Sequence, residues 1–206
     1  MVEITNILEV EKYLENISAV IFDLDDTLYS EKDYVKSGFI AISDSFPKVE
    51  NMYDKLWTAF ENGEKAIDVV FKEAEILEDK DKALKIYRSH KPRIKLYNGV
   101  NAMLNRLRRT KKIGIITDGR PEGQHAKINA LGLDVDAVIV TDELGGIEFR
   151  KPNIAAFLLM QEKMKVPYDT MVYIGDNIQK DFIAPKKLGM QTIWYKNKYG
   201  IYYTSK

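Results

Sequence analysis

Five short apolar runs along the chain have the length and composition of buried strands. Helical patterns lie between most of them, and a short helix is predicted ahead of the first, at residues 5–15. Strands that are apolar on both faces and alternate with helices are typical of a parallel sheet covered on both sides. The sequence therefore predicts an α/β fold with a doubly wound, Rossmann-like and mostly parallel sheet. The runs occupy residues 19–22, 113–116, 137–140, 171–174 and 192–195.

The segment from residue 30 to residue 96 has helical spacing and no strand pattern. Apolar side chains recur three or four positions apart in four successive sets, which begin at Val35, Met52, Ile67 and Ala83. Four helices without an intervening strand predict an all-helical cap, inserted after the first strand of the sheet. We expect residues 1–29 and 97–206 to form the core and residues 30–96 to form the cap.

Composition narrows the classes of protein that this chain can represent. Among its 206 residues, 31 Lys and Arg balance 31 Asp and Glu, so bulk positive charge offers no basis for nucleic-acid binding. The absence of Cys excludes disulfides and thiolate catalysis. We find no signal-peptide pattern and no apolar stretch of membrane-spanning length. We expect a cytoplasmic protein with no membrane or nucleic-acid partner, as a monomer or homodimer.

The first strand ends in a group of carboxylates within the sequence VIFDLDDTL. Asp23 closes the strand, and Asp25 can share its face because side chains two positions apart in extended backbone point the same way. Ligands of open α/β sheets bind beyond the carboxyl ends of the strands. Like charges placed together at such an edge are costly unless a bound cation neutralises them or a reaction uses them.

Polar residues at other strand and helix ends join the same edge of the predicted sheet. Thr117 follows the second strand, Asp176 follows the fourth, and Asp181 comes five positions later, while Lys151 precedes Pro152 at a predicted helix start. Several carboxylates with oxygen-only ligation suit Mg²⁺, and a Lys and a hydroxyl beside it suit phosphoryl oxygens. Backbone N–H groups near Asp118 and Gly119 add phosphate donors. An Asp can then act as nucleophile.

These residues together resemble the haloacid dehalogenase superfamily of phosphohydrolases. DLDDT at residues 23–27 matches the motif D-x-D-x-T, and Thr117 in IITDG matches the second motif. Lys151 in FRKP matches the third motif, and GDNIQKD at residues 175–181 matches the acidic fourth. The inserted helices resemble the helical cap of one large branch of the superfamily.

The resemblance implies a role for each matched residue. Asp23 would be the nucleophile that forms an aspartyl-phosphate, and Asp25 the general acid and base. Asp23, Asp176 and the backbone carbonyl of Asp25 would hold Mg²⁺, with Asp181 supporting the site. Thr117 and Lys151 would bind phosphoryl oxygens. Asp26, at a variable position of the motif, is expected to be a solvated or capping residue.

The leading functional prediction is a Mg²⁺-dependent phosphatase of a small phosphorylated metabolite, such as a sugar phosphate. A phosphoglucomutase-like phosphotransferase is compatible with the same core. A phospho-receiver signalling module is less compatible, since its phospho-accepting Asp would follow a later strand. A dehalogenase and a phosphonatase are disfavoured because the resembling enzymes lack the second Asp, which is present here as Asp25.

Selectivity is expected to come from the cap, because the core site recognises only a phosphoryl group and a metal. The start and the end of the inserted segment are the parts expected to reach the site. They carry polar side chains that suit a hydroxylated or anionic substrate. The predicted substrate contacts are Lys36, Arg88 and His90.

Overall fold

The structure is a computed structural model, and it describes residues 1–201 together with Tyr203. The chain divides into two compact units, one formed by residues 1–31 and 95–206 and the other by residues 32–94. The first unit contains a six-stranded sheet, in which every paired strand is parallel to its neighbour. Its strands are β1 (Val2–Ile4), β2 (Ala19–Phe22), β3 (Lys112–Thr117), β4 (Ala137–Val140), β5 (Met171–Gly175) and β6 (Gln191–Tyr195).

The spatial order of the strands is β1-β6-β5-β2-β3-β4. All five predicted strands are confirmed, each within one residue at either end. β1 was not predicted, because a three-residue edge strand with alternating exposure carries no continuous apolar run. The predicted α/β class with a parallel sheet is confirmed.

Helices flank the strands in the first unit and make up the second. Described residues form α1 (Glu31–Ser45), α2 (Met52–Glu61), α3 (Ala66–Glu73), α4 (Lys80–Ser89), α5 (Val100–Leu107), α6 (Pro121–Ala130), α7 (Ala155–Met164) and α8 (Ile183–Lys187). Within this part of the chain, none is both long and apolar enough to cross a membrane. The helix predicted at residues 5–15 is a 3₁₀-helix at Ile7–Tyr13, begun by a capping box between Asn6 and Glu9.

The second unit packs four helices around aromatic and branched side chains. Leu56, Val70 and Phe71 are almost fully buried. Phe46 meets Phe71 edge to face, with ring centroids 5.0 Å apart. Edge-to-face pairs of this kind add to the hydrophobic stabilisation of a small core.

The register of the central strands determines where the site lies. Phe22, the last residue of β2, pairs with Ile115 of β3 on one side and with Ile174 of β5 on the other. The carboxyl ends of these three strands therefore lie side by side. The backbone N–H of Asp23 continues the ladder by donating to the carbonyl of Ile174 at 2.8 Å.

Candidate active site

Lys151 lies at the centre of the polar residues beyond the strands. Its Nζ is 2.5 Å from Asp23 Oδ1 and donates to the hydroxyl of Tyr173 at 2.9 Å. Asp181 Oδ1 also lies 2.9 Å away, as a close charge contact without the geometry of a directed hydrogen bond. Burial alone would lower the pKa of Lys151, but Asp181 and Asp23 outweigh it and raise the pKa well above its ordinary value. The ammonium therefore stays charged.

Three carboxylates converge at this edge. Asp23, Asp176 and Asp181 each offer an oxygen within 4.8 Å of the other two. Burial raises the pKa of Asp23 to about 7, with Lys151 opposing the rise and Asp181 adding to it. Burial and the charges of Asp23 and Asp181 raise the pKa of Asp176 to about 9. Lys151 alone does not offset this crowding.

This donor set fits a hard divalent cation, since it consists of carboxylate oxygens that repel one another without added positive charge. The residues brought together are Asp23 and Asp176, which were predicted as ligands, and Asp181, which was predicted to support the site. Asp181 also accepts a hydrogen bond from the backbone N–H of Asn177 at 2.9 Å. The division into ligands and supporting residues stays a prediction.

Asp25 accepts hydrogen bonds from three side chains of the first unit. Lys127 Nζ lies 2.7 Å from its Oδ1, and the Tyr29 hydroxyl donates to the same oxygen. Gln124 Nε2 donates to Oδ2 at 3.2 Å. Burial, and then the charge of Asp25, raise the pKa of Tyr29 well above its ordinary value, so this hydroxyl keeps its proton.

Gln124 connects Asp25 to the second motif. Its Oε1 accepts a hydrogen bond from the Thr117 hydroxyl at 3.1 Å, and its Nε2 also donates to the carbonyl of Asp118 at 3.0 Å. Gly119 has φ +139°, and a Cβ there would lie 2.6 Å from Gln124 Nε2. The turn before α6 therefore requires glycine in order to bring the amide this close.

The side chain of Asp118 binds other parts of the site. Its Oδ1 accepts from the Thr141 hydroxyl and from the backbone N–H of Lys151, each at 3.0 Å. Lys180 Nζ lies 2.6 Å from Oδ2. Although burial opposes the ionised form, Lys151 and Lys180 hold the pKa of Asp118 below its usual range. Asp118 and Gly119 remain predicted phosphate-binding residues through their backbone, while the Asp118 carboxylate joins three loops.

Asp26 is fully buried and does not lie in solvent, which was one of the two positions expected for it. Its Oδ1 accepts from the backbone N–H of Glu31 at 2.9 Å, at the start of α1, which agrees with a capping role. Its Oδ2 accepts from the backbone N–H of Ile201 at 2.7 Å, and Asn197 Nδ2 donates to its carbonyl at 2.7 Å. Partners distant in sequence therefore replace water around this carboxylate.

The three predicted substrate residues lie in the second unit at different kinds of position. Lys36 is half-buried with its Nζ 5.0 Å from the centre of the Trp57 ring, and Arg88 is exposed on α4. His90 follows α4, where its Nδ1 contacts the carbonyl of Tyr87 at 2.7 Å. It lines a groove of about 600 Å³ between α1 and the segment after α4.

Sequence reasoning did not identify Gln124, Lys127, Lys180 or Glu31. Gln124 and Lys127 are three positions apart on α6, so they share a helix face, and this spacing was a signal that could have been used. Glu31 lies among acidic groups: burial and the charge of Asp25 raise its pKa to about 8, while Lys127 opposes that rise. Lys180 directly precedes Asp181 within the fourth motif.

Comparison with known families identifies the group to which this site belongs. The family model described as haloacid dehalogenase-like hydrolase matches residues 20–195. The chain belongs to the haloacid dehalogenase-like hydrolase family. The match spans all four motifs, and it confirms the resemblance on which the predicted roles of the site residues rest. Enzymes of this superfamily generally use Mg²⁺, which agrees with the three converging carboxylates.

Individual relatives are consistent with this family. The glyceraldehyde 3-phosphate phosphatase of Methanocaldococcus jannaschii is 29% identical over 200 aligned residues, covering 86% of this chain and 84% of the relative. A haloacid dehalogenase superfamily hydrolase of Geobacter sulfurreducens has a TM-score of 0.69 at 16% identity, with 89% of both chains covered. The hydrolase YfnB of Bacillus subtilis, solved with bound magnesium, has a TM-score of 0.65 at 18% identity and covers 86% of both chains. The predicted class, a phosphomonoester hydrolase of this family, is confirmed.

The raised pKa values of Asp23 and Asp176 predict how pH affects metal-free stability. The native state keeps protons that the unfolded chain has lost between about pH 4 and pH 9, so stability falls as pH rises through that window. A bound divalent cation replaces those protons. We expect the rise in thermal midpoint on adding Mg²⁺ to be larger at pH 8 than at pH 5, measured by calorimetry with and without a chelator.

Asp176→Asn is the matched variant for this measurement, since it keeps the shape of the side chain and removes one charge. We expect it to flatten the pH dependence of the metal-free thermal midpoint and to reduce the Mg²⁺ effect. Equal Mg²⁺ effects at both pH values, or an unchanged response of Asp176→Asn, would contradict this account of the acidic cluster.

Proposed function

We propose that the protein is a Mg²⁺-dependent phosphatase that hydrolyses a small, hydroxylated phosphomonoester through an aspartyl-phosphate on Asp23. The observation that carries the proposal is the environment of Asp23. A buried carboxylate at the end of β2 contacts the Lys151 ammonium and lies within a cluster of three acidic side chains. Attack on a phosphate dianion requires positive charge beside the nucleophile. Lys151 supplies one fixed cation here, and the acidic cluster offers a site for a second.

In the first step, an oxygen of the Asp23 carboxylate attacks phosphorus, and the bond from phosphorus to the ester oxygen breaks. Asp25 gives a proton to that departing oxygen, so the product leaves as an alcohol. Thr117 and Lys151 bind the phosphoryl oxygens and offset their charge. The backbone N–H groups of the turn at Asp118 and Gly119 donate to the same group.

In the second step, water attacks the phosphorus of the aspartyl-phosphate. Asp25, now ionised, takes a proton from that water, and the bond to Asp23 breaks to release inorganic phosphate. Asp23 and Asp176, with the carbonyl of Asp25, would hold Mg²⁺, which when bound supplies charge neutralisation for the phosphoryl oxygens. Asp181 supports this arrangement through its contact with Lys151.

The proposed substrate is a sugar or triose phosphate. Two observations support this class: the polar side chains of the second unit, and the similarity to the glyceraldehyde 3-phosphate phosphatase of Methanocaldococcus jannaschii. The decisive assay measures phosphate release from a panel of phosphorylated sugars, trioses, nucleotides and glycolytic acids, with and without Mg²⁺. Isomerisation of a sugar phosphate without net phosphate release would favour the phosphotransferase instead.

Replacing the nucleophile is the first test of this function. Asp23→Asn keeps the shape of the side chain but removes the attacking charge and a metal ligand. We expect kcat to fall by at least about 10³-fold, because covalent catalysis and metal binding fail together. Phosphate release and single-turnover phosphorylation measure the loss. More than a tenth of wild-type turnover in Asp23→Asn would show that Asp23 is not the nucleophile.

Asp25→Ala tests the division of labour between the two carboxylates. General acids contribute about 10²–10⁴-fold, mostly where the leaving group is poor. We expect Asp25→Ala to slow single-turnover phosphoryl transfer from a sugar phosphate far more than from an activated aryl phosphate such as p-nitrophenyl phosphate, while hydrolysis of the shared aspartyl-phosphate slows equally for both. Equal losses in the transfer step would argue against Asp25 as the acid.

Alanine substitution in the second unit tests where selectivity resides. We expect Lys36→Ala, Arg88→Ala or His90→Ala to change the ratio of kcat/KM between two natural phosphomonoesters by at least about tenfold at one position, roughly 1.4 kcal/mol. Hydrolysis of the aryl phosphate serves as the control and should hardly change. An unchanged substrate ranking in all three variants would move the search to Tyr34, Phe39 and Trp57.

A further inference from the structure

Lys127 is a buried cation to which the steps above assign no role. It lies on α6 with 4% of its surface exposed. A lysine ammonium is rarely withdrawn from water unless a partner offsets the lost hydration. Here a close offsetting partner is Asp25, whose Oδ1 lies 2.7 Å from Nζ, and both side chains of the pair are largely buried.

The pair belongs to a set of contacts that holds both oxygens of the Asp25 carboxylate. Lys127 and Tyr29 donate to Oδ1, while Gln124 donates to Oδ2. Gln124 is itself fixed by Thr117 and by the carbonyl of Asp118. A carboxylate held from both sides has little freedom to rotate about its side-chain torsions. Lys127 is the charged member of this set, so it contributes the strongest of the three contacts.

The orientation of Asp25 matters because the same carboxyl group acts twice. It must face the ester oxygen when it gives a proton and must face the attacking water when it takes one. Displacement of a catalytic group by about 1 Å can cost on the order of 10²-fold in rate. A residue that fixes Asp25 without touching substrate therefore affects kcat and leaves substrate binding unchanged.

We propose that Lys127 is a positioning residue that, together with Gln124, holds the Asp25 carboxylate in the orientation from which it exchanges protons with the leaving group and with water. The proposal rests on the proposed function for the role of Asp25. The ion pair itself, and its effect on the orientation of Asp25, are inferred from the geometry alone.

The kinetic test uses Lys127→Met, which keeps most of the volume and removes the charge. We expect kcat for glyceraldehyde 3-phosphate or another natural ester that the wild type hydrolyses to fall about 10- to 100-fold, while KM changes less than about threefold. With p-nitrophenyl phosphate the single-turnover release of p-nitrophenol should slow by less than about threefold, because that leaving group needs no acid, whereas hydrolysis of the aspartyl-phosphate is common to both esters and should slow equally. Lys163→Met, at an exposed position of α7, is the matched control and should behave as wild type on both esters.

A double-mutant cycle separates action through Asp25 from direct substrate binding. In an Asp25→Asn background, Lys127→Met should cost less than about a further threefold in kcat, because the group that it positions is already disabled. If Lys127 instead binds substrate, KM rises for both esters and the losses multiply. Either of those results, or a gain in activity in Lys127→Met, would overturn the proposal.

Thermal unfolding gives a second readout that does not depend on turnover. Removing one member of a buried ion pair leaves the other charge uncompensated. We expect Lys127→Met to lower the thermal midpoint by at least about 5 °C, and to lower it by less than half as much when Asp25→Asn is already present. Equal shifts in the two backgrounds would refute the pairing. A wild type that releases no phosphate from any ester would refute the proposed function, and the thermal cycle would still decide whether Lys127 and Asp25 are coupled.

Discussion

The buried ammonium of Lys151 is the interaction on which the rest of the site depends. It contacts Asp23 after β2, Asp181 beyond β5 and Tyr173 within β5, so a single cation joins separate segments of the chain. Removing one partner of a buried ion pair costs about 3–5 kcal/mol, because the remaining charge loses both its hydration and its counter-charge. The loops can therefore hold Asp23, the proposed nucleophile, in place only while this cation is present.

The same interaction leaves an excess of negative charge at the edge of the sheet. Asp176 completes a cluster of three carboxylates, whose negative charge exceeds the positive charge of the Lys151 ammonium. The pKa of Asp176 is raised accordingly. A phosphate dianion could not approach such a cluster without a further cation. Charge balance thus makes the proposed binding of metal and the proposed binding of phosphate interdependent, and it explains why a fold with so apolar a sheet concentrates acidic residues at one edge.

Much of this arrangement was predictable because it follows from local patterns. Strands buried on both faces must be apolar throughout, which is why β2, buried at all four positions, was predicted with its observed bounds. Polar residues that follow parallel strands must meet at one edge, so the proximity of Asp23 and Asp176 followed from their positions in sequence. β1 escaped prediction because three residues at a sheet edge need only one buried side chain.

Features that depend on distant partners were not predictable. The isolated DLDDT sequence gives no sign that Asp26 is buried, since the groups that replace its water lie at Asn197 and Ile201. The burial of Lys127 likewise depends on how closely α6 packs beside the loop at residues 23–29, which its helical spacing does not reveal. In both cases the residue type is compatible with a solvated surface, and tertiary contacts decide otherwise.

The contacts of Asp26 also bear on the order in which the protein can mature during synthesis. The loop at residues 23–29 leaves the ribosome well before some of its partners, because Asp26 accepts a hydrogen bond from backbone 175 residues later, and among the described strands β1 pairs with β6 alone. Nascent chains fold as their segments emerge, and contacts of long sequence separation form last. A chain that has been synthesised only as far as its central strands therefore still lacks partners of Asp26, and the loop that carries Asp23 and Asp25 is completed only once residues 197–201 have emerged.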